Sequence, residues 1–325
     1  MNIINNRYEI GGLFAEDICR QYGAPLYVYD TAVMKQRYEE MQNAFSGVRM
    51  KINFACKALN NINILKFFKS LGAGLDTVSI QELMLGLKAG FAPKDIIFTP
   101  NCVSLEEYKE AAEAGVRINI DNISILEQFG IHYGDSYPIC IRFNPHIFAG
   151  GNAKISVGHI DSKFGISIHQ LPLVERICKT NNLNVEGIHM HTGSDILDIE
   201  VFLQGAEILL ETARHFDGID YIDFGSGFKV AYKPDDIFTD IQALGERLAS
   251  RFKDFCAEYG RDLCLMFEPG KYLVSEAGYF FAKVNVVKQT TSTIFAGLDT
   301  GLNHLIRPMF YDAYHHIVNI SNPAG

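Results

Sequence analysis

Positive charge is scarce in this chain and nowhere gathered. Lysine and arginine total 29 against 38 aspartates and glutamates, a formal net charge of −9. Without a basic cluster there is no footprint for nucleic acid and no polybasic patch for an anionic membrane. No apolar run reaches transmembrane length, and the start, Met1-Asn2-Ile3-Ile4-Asn5-Asn6-Arg7, lacks a signal-peptide layout. The seven cysteines (19, 56, 102, 140, 178, 256 and 264) include no CxxC pair. Odd in number and set mostly among apolar neighbours, they read as reduced core thiols of a cytoplasmic protein. Low-complexity stretches and linkers are missing too. What is there is a chain of 325 residues, 48% hydrophobic, enough for one large core and a smaller domain.

Strand signals begin near residues 51, 74, 96, 117 and 138. Their spacing of about 21 to 23 residues suits a repeated strand–loop–helix unit. Further strands read as 185–191, 221–224 and 263–268, with long helical stretches at 198–216 and 236–259. Ser79-Ile80-Gln81-Glu82, Ser104-Leu105-Glu106-Glu107 and Ser124-Ile125-Leu126-Glu127 each fit a capping box that starts a helix. Gly72, Gly90, Gly115 and Gly130 stand where those helices should stop. Ile62, Leu65, Phe68 and Leu71 form one apolar helical stripe. A solenoid shares such a period, but the strands carry no leucine-rich pattern and the later units lengthen. The expected class is α/β: a (β/α)8 TIM-like barrel over 25–270. Extended pieces at 8–10, 26–29, 279–287 and 290–295 predict a small, incomplete β domain built from both chain ends, 1–24 with 271–325.

Closing eight strands into a barrel makes the first and last strands neighbours. Lys57, after the apolar run 52–56, and Glu268, after 263–267, then meet at the C-terminal mouth, where such barrels keep their chemistry. Alone, Lys57 is more simply a lysine pointing to water, and Glu268 a solvated strand terminator. A buried lysine of lowered pKa, however, is what imine chemistry needs. Gly225-Ser226-Gly227 after the seventh strand offers bare backbone N–H groups to a phosphate, although a lone GxG is also an ordinary turn. His189 and His191, two apart, share a face; that spacing can bind zinc, but no third and fourth ligands stand at a telling spacing, so no metal is expected. A core histidine and an aromatic platform for a ligand ring is the more economical reading. Asp76 and Arg142 fall at strand ends, where each would serve equally as a mouth salt bridge. Lysine for an imine, carboxylate for a ring nitrogen, glycine turns for a phosphate and histidine for a ring face together describe a pyridoxal-phosphate pocket.

The chain resembles the diaminopimelate decarboxylases, among the alanine-racemase-like, barrel-type pyridoxal-phosphate decarboxylases. The resemblance rests on Phe54-Ala55-Cys56-Lys57-Ala58, Gly74-Leu75-Asp76-Thr77-Val78-Ser79, Ser162-Lys163-Phe164-Gly165-Ile166 and His191-Thr192-Gly193-Ser194. Gly225-Ser226-Gly227, Glu268-Pro269-Gly270-Lys271 and Leu305-Ile306-Arg307-Pro308-Met309-Phe310-Tyr311 extend it over nearly the whole chain. The resemblance implies that Lys57 carries pyridoxal 5'-phosphate, that His191 stacks on its ring and that Glu268 meets its nitrogen. It implies a phosphate held by Ser194, Gly225, Gly227, Gly270 and Lys271, with Asp76 and Arg142 also at the cofactor. Lys271, Arg307 and Tyr311 would bind the substrate, meso-diaminopimelate, whose distal carboxylate suits a guanidinium. The implied product is L-lysine, and the implied assembly a homodimer with a shared active site.

Two departures stand out. The family usually has arginine at Lys271, so a point charge replaces a fork. Family members also continue past Gly325, with a Cys-Glu-Ser motif and a later tyrosine that complete the site across the dimer. None of the seven cysteines stands in that setting, so the expectation for this 325-residue chain is impaired turnover for want of its general acid. The alternatives are another basic amino-acid decarboxylase of the same fold and a non-catalytic homologue that binds the cofactor.

Overall fold

The computed structural model describes residues 1–147 and 162–323. Two compact units divide it, one of 37–230 with 237–273 and one of 1–36 with 231–236 and 274–325.

The larger unit is a closed barrel. Its strands are β1 (Met50–Ala55), β2 (Gly74–Thr77), β3 (Ile96–Phe98), β4 (Arg117–Ile120), β5 (Ile139–Asn144), β6 (Val185–Met190), β7 (Tyr221–Asp223) and β8 (Cys264–Phe267). Each pairs in parallel with the next, and β8 returns to β1 through Leu265↔Met50, Met266↔Lys51 and Phe267↔Ile52. A short strand, Ile166–Ser167, adds beside β5. Parallel strands covered on both faces must be apolar along their length, and all six residues of β5 are buried. Ile97, Cys140, Tyr221 and Met266 form one buried cluster from strands that are mostly not neighbours, so they meet across the barrel interior. One residue later, Phe267 faces the other way. Its ring lies 4.7 to 6.4 Å from those of Phe45, Phe202, Phe224 and Phe228, four other fully buried side chains. The alternation then turns Glu268 back toward the mouth.

Helix ends depart from expectation at three places. Ser104 and Glu107 form the complete capping box. Ser79 accepts from the Glu82 N–H, but the Glu82 carboxylate reaches the Val78 N–H instead of that of Ser79. Ser124 lies inside the helix Ile123–Tyr133, because Asn122 caps it by accepting from the Ile125 N–H. Gly130 also lies inside that helix, which ends at Gly134; a side chain at 130 would run into Asn181, so this glycine serves close packing. Gly72, Gly90 and Gly115 do sit at helix ends with positive φ.

The smaller unit holds a three-stranded antiparallel sheet (Asn2–Ile4, Arg7–Ile10, Leu13–Phe14), a pairing of Leu26–Tyr29 with Gly278–Phe281, and a hairpin of Val284–Gln289 with Ile294–Leu298. Ile10, Ala15, Ile18 and Phe281 form its core. The alternating run 279–287 is thus two strands, interrupted at Ala282 and Lys283.

Phe267 anchors the outer layer one residue before Glu268. Phe267→Ala should cost about 3–5 kcal/mol, the usual range for emptying a buried phenylalanine site. The shift of the denaturant midpoint measures it, and a loss below about 1 kcal/mol would show that the surrounding rings refill the space.

Candidate active site

Eight strand ends converge on one mouth, and the loops that follow carry its polar groups. Lys57 lies in the single turn Cys56–Ala58 that follows β1. Its ammonium donates to Asp76 on β2 at 2.7 Å. Asp76 is wholly buried, whereas the Lys57 side chain is 52% exposed along the mouth. Burial of the ammonium pulls its pKa down, but the Asp76 and Glu268 carboxylates outweigh it and hold Lys57 above the ordinary lysine value. The lowered pKa expected from a buried lysine is therefore not found, because burial here comes with two counter-charges. Burial and then the Glu268 charge raise Asp76, against the pull of Lys57.

Glu268 follows β8 and is buried. Its N–H donates to the Gly225 carbonyl at 2.7 Å, which fixes the backbone. Its carboxylate is held at both oxygens: His189 Nε2 lies 3.1 Å from Oε2, and the Thr99 hydroxyl donates to Oε1 at 3.4 Å. Asn119 donates in turn to Thr99 at 3.5 Å. Burial pushes Glu268 up, opposed by Lys57 and Arg142. Arg142, on β5, is buried with its guanidinium 5.0 Å from the Phe164 ring centroid. Burial lowers its pKa against the attraction of Glu268, Asp121 and Asp76. Donor atoms of His189, Asp223 and Glu268 lie within 4.8 Å of one another, close enough to share a proton or a cation. Burial drives Asp223 well above the usual carboxylate range, and the Glu268 charge adds to it.

The loops after β6 and β7 press together through bare backbone. Gly225 has φ +64°, and a Cβ there would stand 2.8 Å from His191 Nδ1. Gly227 has φ +115°, and a Cβ there would stand 1.9 Å from the Gly193 carbonyl oxygen. No other residue fits either place. The Ser226 N–H donates to His191 Nδ1 at 3.3 Å, which sets the ring's orientation. Burial, reinforced by Arg142, drops the His191 pKa well below its ordinary value, so the imidazole is neutral. Ser194 is half-buried beside this contact. Gly270 opens the short helix Lys271–Val274, and its carbonyl accepts from the Leu273 N–H. Lys271 pairs with Asp195 at 2.6 Å.

Arg307 and Tyr311 belong to the smaller unit, in the turn of helix Arg307–Tyr311. There the Arg307 guanidinium lies 5.0 Å from the Tyr232 ring centroid, and Tyr311 is exposed. Thr99, Asn119, Asp195 and Asp223 were not singled out from the sequence. The available signal was weak: Thr99 and Asp223 are polar residues at the ends of apolar strand runs.

The pyridoxal-dependent decarboxylase, pyridoxal binding domain family matches residues 31–275. Diaminopimelate decarboxylase of Methanothermobacter thermautotrophicus is 36% identical over 97% of this chain and 75% of its own length. Diaminopimelate decarboxylase of Helicobacter pylori, solved in complex with L-lysine, superimposes with a TM-score of 0.84 at 28% identity, over 93% of this chain and 76% of that one. The M. jannaschii diaminopimelate decarboxylase, also solved with L-lysine, gives a TM-score of 0.84 at 29% identity, over 98% and 77%. A lysine/ornithine decarboxylase of Vibrio vulnificus, at 22% identity and a TM-score of 0.78, shares the fold.

The donor set fits pyridoxal phosphate. A primary amine, a carboxylate held at both oxygens and a cradle of bare backbone face one mouth. Among the described residues, buried Asp76 Oδ1, Asp223 Oδ2, His189 Nδ1 and Thr192 Oγ1 have no protein partner. With a pyridoxal-binding barrel over most of its length and this likeness over nearly all of it, the chain belongs to the diaminopimelate decarboxylase family of pyridoxal-dependent decarboxylases.

Proposed function

We propose that the chain decarboxylates meso-diaminopimelate to L-lysine with pyridoxal phosphate. The observation that carries this reading is the meeting of Lys57, Asp76 and Glu268 at one barrel mouth, beside the Gly225–Gly227 cradle. Pyridoxal phosphate, when bound, supplies an electron sink for the pair of electrons left as carbon dioxide departs.

The chain's own groups divide the remaining work. Lys57 supplies the amine that holds the cofactor, and Asp76, 2.7 Å away, takes and returns the proton that this amine must lose and regain. The Glu268 anion keeps a ring nitrogen protonated, which an amide or a neutral acid does not do. His191, neutral and fixed by the Ser226 N–H, offers a flat face to the ring. Ser194 and the backbone of Gly227, Gly270 and Lys271 hold the phosphate as donors without bulk, while Gly225, whose N–H donates to Asp223 at 2.8 Å, gives the loop its close approach. Arg142 offsets the buried carboxylates. Lys271, paired with Asp195, adds a charge near the phosphate and the substrate. Arg307 and Tyr311 read the substrate's distal amino acid end, where a guanidinium matches a carboxylate in two hydrogen bonds.

The reading includes a cytoplasmic homodimer. All seven cysteines are free thiols, as a reducing compartment keeps them. In the smaller unit Val286, Val287, Ile294 and Phe295 are more than half exposed on one hairpin, an apolar surface of the kind a partner subunit covers. No helix among the described residues is long and apolar enough to cross a membrane.

Borohydride added to the protein loaded with pyridoxal phosphate should fix the cofactor to Lys57, as mapped by peptide mass spectrometry. Lys57→Ala should lose the label and release no carbon dioxide from diaminopimelate. Labelling at Lys163 or Lys271 instead would overturn the assignment. Arg307→Ala should leave cofactor binding unchanged and weaken diaminopimelate by roughly 10-fold or more, since a charge-assisted hydrogen bond contributes about 1.5–3 kcal/mol. Titration of the loaded protein with substrate measures it, and loss of cofactor in that variant would place Arg307 elsewhere.

A further inference from the structure

His189 lies two residues before His191 and does different work. It is 1% exposed, and its Nε2 stands 3.1 Å from Glu268 Oε2. Burial, and then the Arg142 charge, lower its pKa well below the ordinary value, so its ring is neutral and carries one N–H. The position of that proton follows from the surroundings. If it sat on Nδ1, a bare Nε2 lone pair would face a carboxylate oxygen, and a buried N–H would have no acceptor. Among the described residues Nδ1 has no partner at all. With the proton on Nε2 the ring donates to the charged Glu268 and only the Nδ1 lone pair is left without a partner, the cheaper arrangement.

The other carboxylate oxygen is set in a parallel way. Asn119 donates to the Thr99 oxygen at 3.5 Å, which leaves the Thr99 hydroxyl proton free to point at Glu268 Oε1, 3.4 Å away. Lys57 and Arg142 also favour a charged Glu268, and the Glu268 charge in turn raises the proton affinity of Asp76 and Asp223. Those charges have no direction. The two hydrogen bonds do, because donors just after β3 and on β6 fix the carboxylate plane.

We infer that His189, as its Nε2–H tautomer, is a positioning residue that with Thr99 holds Glu268 ionised and oriented toward the cofactor's ring nitrogen. This rests on the reading of Glu268 as the partner of that nitrogen. His189 acts through Glu268.

The direct test is ¹⁵N NMR of the protein loaded with ring-¹⁵N pyridoxal phosphate. The wild-type ring nitrogen should be protonated at pH 7. In His189→Leu the proton balance should move from the ring nitrogen toward Glu268 by about 10-fold, as expected for loss of one hydrogen bond to a charged group. Borohydride trapping at Lys57 should persist in that variant. His189→Gln, whose amide N–H still donates, should return most of the wild-type signal. A second measurement needs no variant: ¹H–¹⁵N correlation of the wild-type His189 ring should show a neutral Nε2–H imidazole between pH 6 and 8. An unchanged ring-nitrogen signal in His189→Leu with cofactor trapped on Lys57, or a charged or Nδ1–H ring in the wild type, would overturn the inference. Failure of the wild-type protein to trap cofactor at Lys57 overturns the reading of the site, and this inference with it.

Discussion

Four carboxylates and two cations share the mouth of the barrel, most of them out of contact with water. Asp76, Asp121, Asp223 and Glu268 are buried, with Arg142 buried among them and Lys57 at the rim. Charges so placed are tolerated only where each is paired or neutralised. The remaining features of the site follow from that demand. Asp76 and Glu268 hold Lys57 above the ordinary lysine value, burial and the Glu268 charge push Asp223 well above the usual carboxylate range, and burial with the Arg142 charge pulls both histidines well below theirs. A site balanced this finely answers to the arrival of one more charged group, which is what a phosphate-bearing cofactor with a basic ring nitrogen is.

The backbone solves the other half of the problem. A phosphate needs several N–H donors at close quarters, and side chains would crowd it. The loops after β6 and β7 approach so closely that Gly225 and Gly227 admit no Cβ, and the same approach brings the Ser226 N–H onto His191. One contact therefore serves two ends: it shapes the cradle proposed for the phosphate and aims the imidazole. The ring cluster around Phe267 stands behind both, on the outer face of β8.

Much of this was legible in the sequence, because barrel closure is a rule about order. Strand starts at 51, 74, 96 and 117 recur in the structure within a residue, and the nearness of the Glu268 charge to Lys57 follows from β1 meeting β8. Local signals failed where a distant residue competed. Asn122 took the cap that Ser124 promised, and Gly130 is a glycine because Asn181, far along the chain, packs against it. The second layer of the site was hidden for the same reason. Thr99 and Glu268 are 169 residues apart, and no periodicity links them. The Lys57 pKa ran opposite to the simple burial argument, since the sequence could name the lysine but not count the carboxylates around it.

The β8–β1 pairing also orders events in time. Lys57 leaves the ribosome more than two hundred residues before Glu268, and the mouth they share does not exist until the last strand has slotted in beside the first. Long-range pairings of this kind form late, after the loop-closure entropy of the whole chain has been overcome. A nascent chain stalled after β7 would hold Lys57 and Asp76 but lack Glu268, the second carboxylate that faces the lysine. On the proposed assignment of Lys57 and Glu268, cofactor capture therefore waits until the last strand has closed the barrel.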